Sequence, residues 1–101
     1  MLFELSIIPL GNSSHISDEI AEAVKLIESS GCRYKLTPTS TCIEGQWDEI
    51  MPLIRRCHEQ IRQHSPHVLT TITIEDEDGA ENKLAANVQS VERAVGHQLV
   101  H

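Results

Sequence analysis

The sequence predicts an α+β fold: one four-stranded antiparallel sheet, two helices on one of its faces, and a third helix towards the C-terminal end. Three observations lead there. Residues 2–8 and 67–75 alternate side-chain character with the period of a strand. Three longer stretches repeat apolar residues at the spacing of one helix face. The segments follow one another as β-α-β-β-α-β-α, with Gly, Pro and Ser at the joints.

The first strand, residues 2–8, sets Phe3, Leu5 and Ile7 on one face and Glu4, Ser6 and Ile8 on the other. Pro9 to Ser14 reads as a loop. Ser17 is the expected N-cap of a helix, followed by Asp18 and Glu19, which suit the positive end of its dipole. Ile16, Ile20, Val24 and Ile27 form its stripe to about Ser30, and Gly31 stops it. Residues 33–38 and 40–44 read as the next two strands, with Pro38 at the turn or on an edge. A helix from Trp47 to about His64 carries Trp47, Ile50, Ile54, Cys57 and Ile61 at helical spacing; Pro52 predicts a kink or a late start. The strand over 67–75 alternates Val68, Thr70, Ile72 and Ile74 with Leu69, Thr71, Thr73 and Glu75. After an acidic loop at 76–81, a last helix spans roughly 82–95 along Leu84, Val88, Val91 and Val95 and ends at Gly96.

The first six elements make the ferredoxin-like βαββαβ arrangement, and the third helix is an addition. Two helices cover only one sheet face. The other would carry Glu4, Ser6, Ile8, Leu69, Thr71, Thr73 and Glu75, too polar for a core and too apolar at Ile8 and Leu69 for a simple wet surface. A subunit interface or a ligand floor is the natural use, with the third helix as partial cover.

A length of 101 residues predicts a single domain, 1–101, and an aromatic share of 3% predicts an aliphatic core. The formal charge of −7 argues against nucleic acid as a partner and favours a neutral or cationic ligand. Cys32, Cys42 and Cys57 are odd in number and form no CxxC, so a reducing, cytoplasmic setting without disulfides is expected. No basic leader or membrane-length apolar run is visible, so no membrane partner is expected. Of the six histidines, His58, His64 and His67 lack ligand spacing, and His97 and His101 lie past Gly96 in what reads as a frayed tail. Cys57 and His58 point to different sides of a helix, so neither a metal site nor a catalytic pair is predicted.

Thr37 to Gly45 and the following Trp47 gather hydroxyls, a carboxylate, a glycine and the only tryptophan into one strand-to-helix passage, which suits a small polar ligand. The same stretch carries a resemblance. Ser6 to Gly11, Ser29-Ser30-Gly31, Thr37-Pro38 leading to Thr41, Ile43-Glu44-Gly45, Trp47-Asp48-Glu49, Thr70 to Ile74, and Lys83 before a Val-rich helix are together similar to the thiamine-binding YkoF/MTH1187-like family. The resemblance covers nearly the whole chain. It implies a ferredoxin-like protomer assembled as a homodimer or homotetramer. It also implies binding of thiamine or its hydroxymethylpyrimidine moiety, with no catalysis and no required cofactor. Thr39-Ser40 replaces the Met-Gly pair common in members, and Ser40 narrows the room there. Glu75-Asp76-Glu77 stands where members often show two aspartates and a base.

Thiamine joins an aminopyrimidine to a cationic thiazolium. A site for it needs an acceptor for the amino group, hydroxyls for orientation, and an aromatic or acidic wall. Glu44 is the candidate for the pyrimidine edge; its alternative is a strand-end carboxylate or a cap for the next helix. Thr37 and Thr41 would orient the ring, or simply follow β-propensity. Trp47 would stack on the ligand, or anchor a core or interface. Ser6 and Thr71 would line the pocket, or bond across strands. Lys83 would hold an anionic group, or pair with Asp76 or Glu77. The rival to a vitamin carrier is an oligomeric regulatory or assembly module that uses the open sheet face and a different small effector.

Overall fold

The computed structural model describes residues 1–11 and 16–101. Its elements are β1 (Leu2–Pro9), α1 (Ile16–Ser29), β2 (Arg33–Leu36), β3 (Thr41–Glu44), α2 (Trp47–His64), β4 (Val68–Glu75) and α3 (Lys83–Val95). Among the described residues the four strands form one sheet in the order β2-β3-β1-β4. Every neighbouring pair is antiparallel. This is the ferredoxin-like α+β arrangement.

Strand alternation decides what each face does. Phe3, Leu5 and Ile7 of β1 and Ile43 of β3 enter the core, together with Ala23 and Ile27 of α1 and Ile50, Leu53, Ile54, Cys57 and Ile61 of α2. The two helices therefore cover one face, and α3 packs on the other, against β2 and β3. On that open face the register lays out rows across the sheet. The first row is Arg33–Glu44–Leu2–Glu75, the second Lys35–Cys42–Glu4–Thr73. Beyond them Ser6 faces Thr71 and Ile8 faces Leu69. α3 lies over the first two rows at the β2–β3 side and leaves Ile8 and Leu69 exposed.

Several boundaries differ from the sequence reading. β2 and β3 stop at Leu36 and begin at Thr41 because the turn between them saturates itself. Thr37 donates its N–H to the Ser40 carbonyl at 2.8 Å. The Ser40 N–H donates to Thr37 Oγ1 at 3.0 Å. α1 begins at Ile16, so Ser17 lies within the first turn and is not the cap. The expected loop at 9–14 lies outside the described residues from Asn12 onwards. α2 has no late start: it opens at Trp47 and runs through Pro52 to His64. The Gln46 N–H bonds Glu49 Oε1 at 3.2 Å and the Glu49 N–H bonds the Gln46 carbonyl at 3.0 Å, which fixes the helix start before the proline. Pro52 itself faces solvent, while Leu53 and Ile54 are buried beside it.

The segment after α3 is not a frayed tail. Gly96, at φ 97°, turns the chain in the left-handed region where glycine carries no Cβ penalty. The Leu99 N–H then reaches Glu92 Oε2 at 2.6 Å, and His101 Nδ1 meets Lys35 Nζ at 2.7 Å. Residues 97–101 thus fold back along α3 to β2.

Candidate functional site

The register separates the expected ligand residues into two groups. At one end of the sheet, β1 loses its β3 partner after Leu5–Thr41 but keeps β4 as far as Pro9–Val68. The β1 edge over Ser6–Ile8 consequently has no strand beside it on the β3 side. A cleft of about 600 Å³ fills the notch, lined by Ser6, Ile8, Ile20, Thr37, Ser40 and Thr41 among others. Thr41 is 7% exposed and faces the helices, opposite Leu5. Ser6 projects from the open face with Thr71 as its register partner. Thr37 Oγ1 donates to the Ser40 carbonyl at 2.9 Å and lies 2.9 Å from Ser40 Oγ, so the turn hydroxyls are held in place. Three expected residues, Ser6, Thr37 and Thr41, share this cleft; Thr71, the register partner of Ser6 on β4, does not line it.

The other expected residues stand at the opposite end. Glu44 is half-buried in the first row, and its Oε2 accepts the backbone N–H of Lys83. Asn82, in the left-handed region at φ 60°, offers no side-chain cap to α3, so Glu44 supplies that acceptor from the sheet. Glu44 does cap a helix, but α3 and not the helix that follows it in sequence. Lys83 Nζ pairs with Glu75 Oε1 at 3.1 Å and with Glu77. Hydrogen bonds donated to Glu77 and then Glu75 raise its pKa above the usual lysine range. Trp47 is half exposed at the start of α2, its ring edge-on to buried Phe3 at 5.8 Å. It stands on the helix side of the sheet, away from Glu44's row, and anchors the start of α2.

A model of the family described as "Thiamine-binding protein" matches residues 3–92. The chain belongs to that family. UPF0045 protein YqgV of Bacillus subtilis is 30% identical over 96 residues, covering 89% of this chain and 92% of its own. UPF0045 protein Mb1933 of Mycobacterium bovis is 28% identical over 94 residues, covering 92% of each chain. Among solved structures, the hypothetical protein MJ1052 of Methanocaldococcus jannaschii superposes with a TM-score of 0.77 at 23% identity, over 96% of both chains. Thermotoga maritima TM0486, named as a candidate thiamine biosynthesis/salvage protein, gives 0.76 at 20% identity over 89% of this chain and 96% of its own. Both superpositions show the shared α+β fold.

Within this thiamine-binding family fold, the hydroxyl cleft and the α3 side differ in chemistry. Among the described residues, no Lys or Arg lines the hydroxyl cleft. It offers hydroxyl donors and acceptors, a free strand edge, and aliphatic walls from Ile8, Ile20 and Leu36. Sequence reading missed Ser40 and Ile20 as lining residues. The signal for Ser40 was its i+3 spacing from Thr37, which lets one hydroxyl close a turn. Ile20 gave no local signal, because its helical spacing marked it only as core. Cys42, half-buried in the second row, has its thiol pushed above the usual range by burial and by Glu4, against the lowering effect of Lys35. Cys57 is buried against α1, where its Sγ points at the Ala23 carbonyl at 3.5 Å, and burial pushes its pKa up to about 11. Among the described residues no group of three His, Cys, Asp or Glu is arranged to hold a metal ion.

Proposed function

We propose that this chain binds thiamine or its hydroxymethylpyrimidine moiety, without catalysing a reaction, in the hydroxyl-lined notch beside the free edge of β1. The observation that carries this reading is the convergence of Ser6, Thr37, Ser40 and Thr41 on one cleft next to an unpaired strand edge. An aminopyrimidine presents an N–H donor beside a ring-nitrogen acceptor, the same alternation a neighbouring strand would offer. A backbone edge is therefore a natural partner for it, with the hydroxyls fixing the remaining polar atoms. Its flat faces match Ile8, Ile20 and Leu36. The thiazolium suits a cleft without lysine or arginine in a protein of charge −7. Family membership supports the ligand class, as does the description of TM0486 as a candidate thiamine biosynthesis/salvage protein.

In this reading Glu44, Trp47 and Lys83 serve the fold and not the ligand. The protein would act as a cytoplasmic homodimer or homotetramer that sequesters or delivers the vitamin. Isothermal titration with thiamine and with hydroxymethylpyrimidine tests it. Both should bind, and Thr41→Val, which keeps the shape and removes the hydroxyl, should weaken binding by roughly fivefold to tenfold. Absence of heat and of any thermal shift at millimolar ligand overturns the proposal. A regulatory or assembly module remains the second reading, favoured by the exposure of Ile8 at 46% and Leu69 at 52% on the open face.

A further inference from the structure

A second cleft of about 390 Å³ lies on the open face of the sheet, under α3. Its wall is almost wholly apolar: Leu2 and Cys42 from the sheet, Leu36 and Pro38 from the hairpin tip, Leu84 and Val88 from α3. It opens past Lys35 and His101 into a groove that also holds Arg33 and Glu92. Volume and lining fall in the range of small-molecule sites.

The charges at its mouth are distinctive. Arg33 and Lys35 are the two β2 side chains on this face. Arg33 donates to Asn82 Oδ1 at 2.5 Å, and Lys35 donates to His101 Nδ1 at 2.7 Å. Neither partner is a carboxylate. Lys83, by contrast, is compensated by two glutamates. Of the carboxylates nearby, Glu44 accepts the Lys83 N–H on Oε2 while its buried Oε1 has no hydrogen-bond partner among the described residues, and Glu92 receives the Leu99 N–H and faces His101 Nε2 at 3.6 Å. Glu4 lies across Cys42 from Lys35 in the second row. Among the described residues, two cations thus stand without an ion-pair carboxylate at the rim of an apolar cleft, in a chain of net charge −7.

We propose that the cleft between α3 and the β2–β3 strands binds a small amphiphilic organic anion, its apolar body among Leu2, Leu36, Leu84 and Val88 and its anionic head on Lys35 and Arg33. The site is independent of the hydroxyl notch. Leu36, Thr37 and Pro38 line both, so the hairpin tip is the partition between a cleft without cations and a cleft rimmed by them. A head group would replace Asn82 and His101 as the partner of the two cations, which draws residues 97–101 away from β2 as the cleft fills.

The test uses 8-anilinonaphthalene-1-sulfonate, an apolar anion, and its neutral counterpart N-phenyl-1-naphthylamine. In a Cys32→Ser background the thiol of Cys42 reports on the cleft floor, since Cys57 is fully buried. The sulfonate should bind saturably to the folded protein and slow modification of Cys42 by N-ethylmaleimide several-fold at saturation. Arg33→Met with Lys35→Met should weaken the sulfonate by roughly tenfold or more, the loss of two exposed charge-assisted contacts. The neutral probe should be unaffected. Val88→Trp, which fills the cleft, should abolish both. Circular dichroism establishes that each variant is folded. Fluorescence without protection of Cys42, or equal affinity after removal of both charges, overturns the proposal. A change in oligomeric mass in Val88→Trp, with sulfonate binding intact, also overturns it and makes the cleft a contact between copies.

Discussion

Gly45 shows why the Glu44-Gly45 step matters more for packing than for the ligand. A Cβ built there would sit 2.7 Å from Ile50 Cδ1 and 2.9 Å from its Cγ1, and Ile50 is fully buried. Gly45→Ala should therefore overpack the start of α2 and cost about 1–3 kcal/mol, read as a lower midpoint in urea with an unchanged slope. Cys57 gives a prediction in pH. Its folded pKa, pushed to about 11 by burial, lies above the ordinary thiol value of 9.0. Its contribution is present below pH 9 and is lost as pH rises towards 11, because the unfolded chain gives up the proton first. The loss amounts to about 2–3 kcal/mol at the upper end. Stability of the native protein should fall more steeply over that window than that of Cys57→Ala, whatever their difference at neutral pH; parallel curves refute it. At this scale the sequence was only half legible. Residue type announced the hydroxyls of Thr37 and Thr41, but not that Thr41 points to the helices while Glu44, three residues on, points to the opposite face. That follows from alternation once the strand's register is known, and register comes from pairing with β1 over a long loop.

α3 is the element whose position rests most on its end groups. None of its residues is fully buried, and Val91 and Val95 remain half exposed. What holds its first turns is a set of polar contacts spread across the sheet: Asn82 to Arg33, the Lys83 N–H to Glu44, Lys83 Nζ to Glu75 and Glu77, and Asn87 to Glu75 at 3.2 Å. Glu44→Ala should leave an orphan N–H at the start of α3 and cost about 1 kcal/mol. The effect should be local. Amide exchange should quicken in residues 83–88 while β1 and β4 keep their protection, and a uniform change across the sheet would count against a capping role. The raised pKa of Lys83 adds a sign. Its stabilising pairs with Glu77 and Glu75 are intact below the ordinary lysine value of 10.5 and fade as pH climbs through the higher folded one. The helix itself was legible from Leu84, Val88 and the stop at Gly96. Its docking was not, because contacts such as Lys83 to Glu44 join residues far apart in sequence, and neither local propensity nor periodicity encodes such contacts. Pro52 misled on where the helix starts, for the opposite reason. A local breaker was overruled by the Gln46–Glu49 cap on one side and the burial of Leu53 and Ile54 on the other.

At the scale of the molecule, the alternation in β1 and β4 made the topology readable, since a four-stranded antiparallel sheet with helices on one side must leave a second face. That face is divided three ways. α3 covers the β2–β3 side, the hydroxyl notch opens at the far end, and Ile8 and Leu69 remain as a bare apolar pair directly opposite each other on β1 and β4. A second copy of the chain, related by a two-fold axis, would match this self-complementary patch with itself and take both side chains out of water. This face is where the proposed homo-oligomer would pair, and Leu69 is the residue to change, because Ile8 also lines the notch and Leu69 does not. Leu69→Lys should shift the mass seen by analytical ultracentrifugation down to that of the 11.3 kDa protomer or of a smaller assembly. A notch complete within one chain predicts thiamine affinity unchanged within about twofold. An unchanged mass would move the contact to another surface, such as the edges of β2 and β4. A lower mass together with lost thiamine binding would mean that a neighbouring copy closes the notch, and the site would then belong to the assembly and not to the protomer.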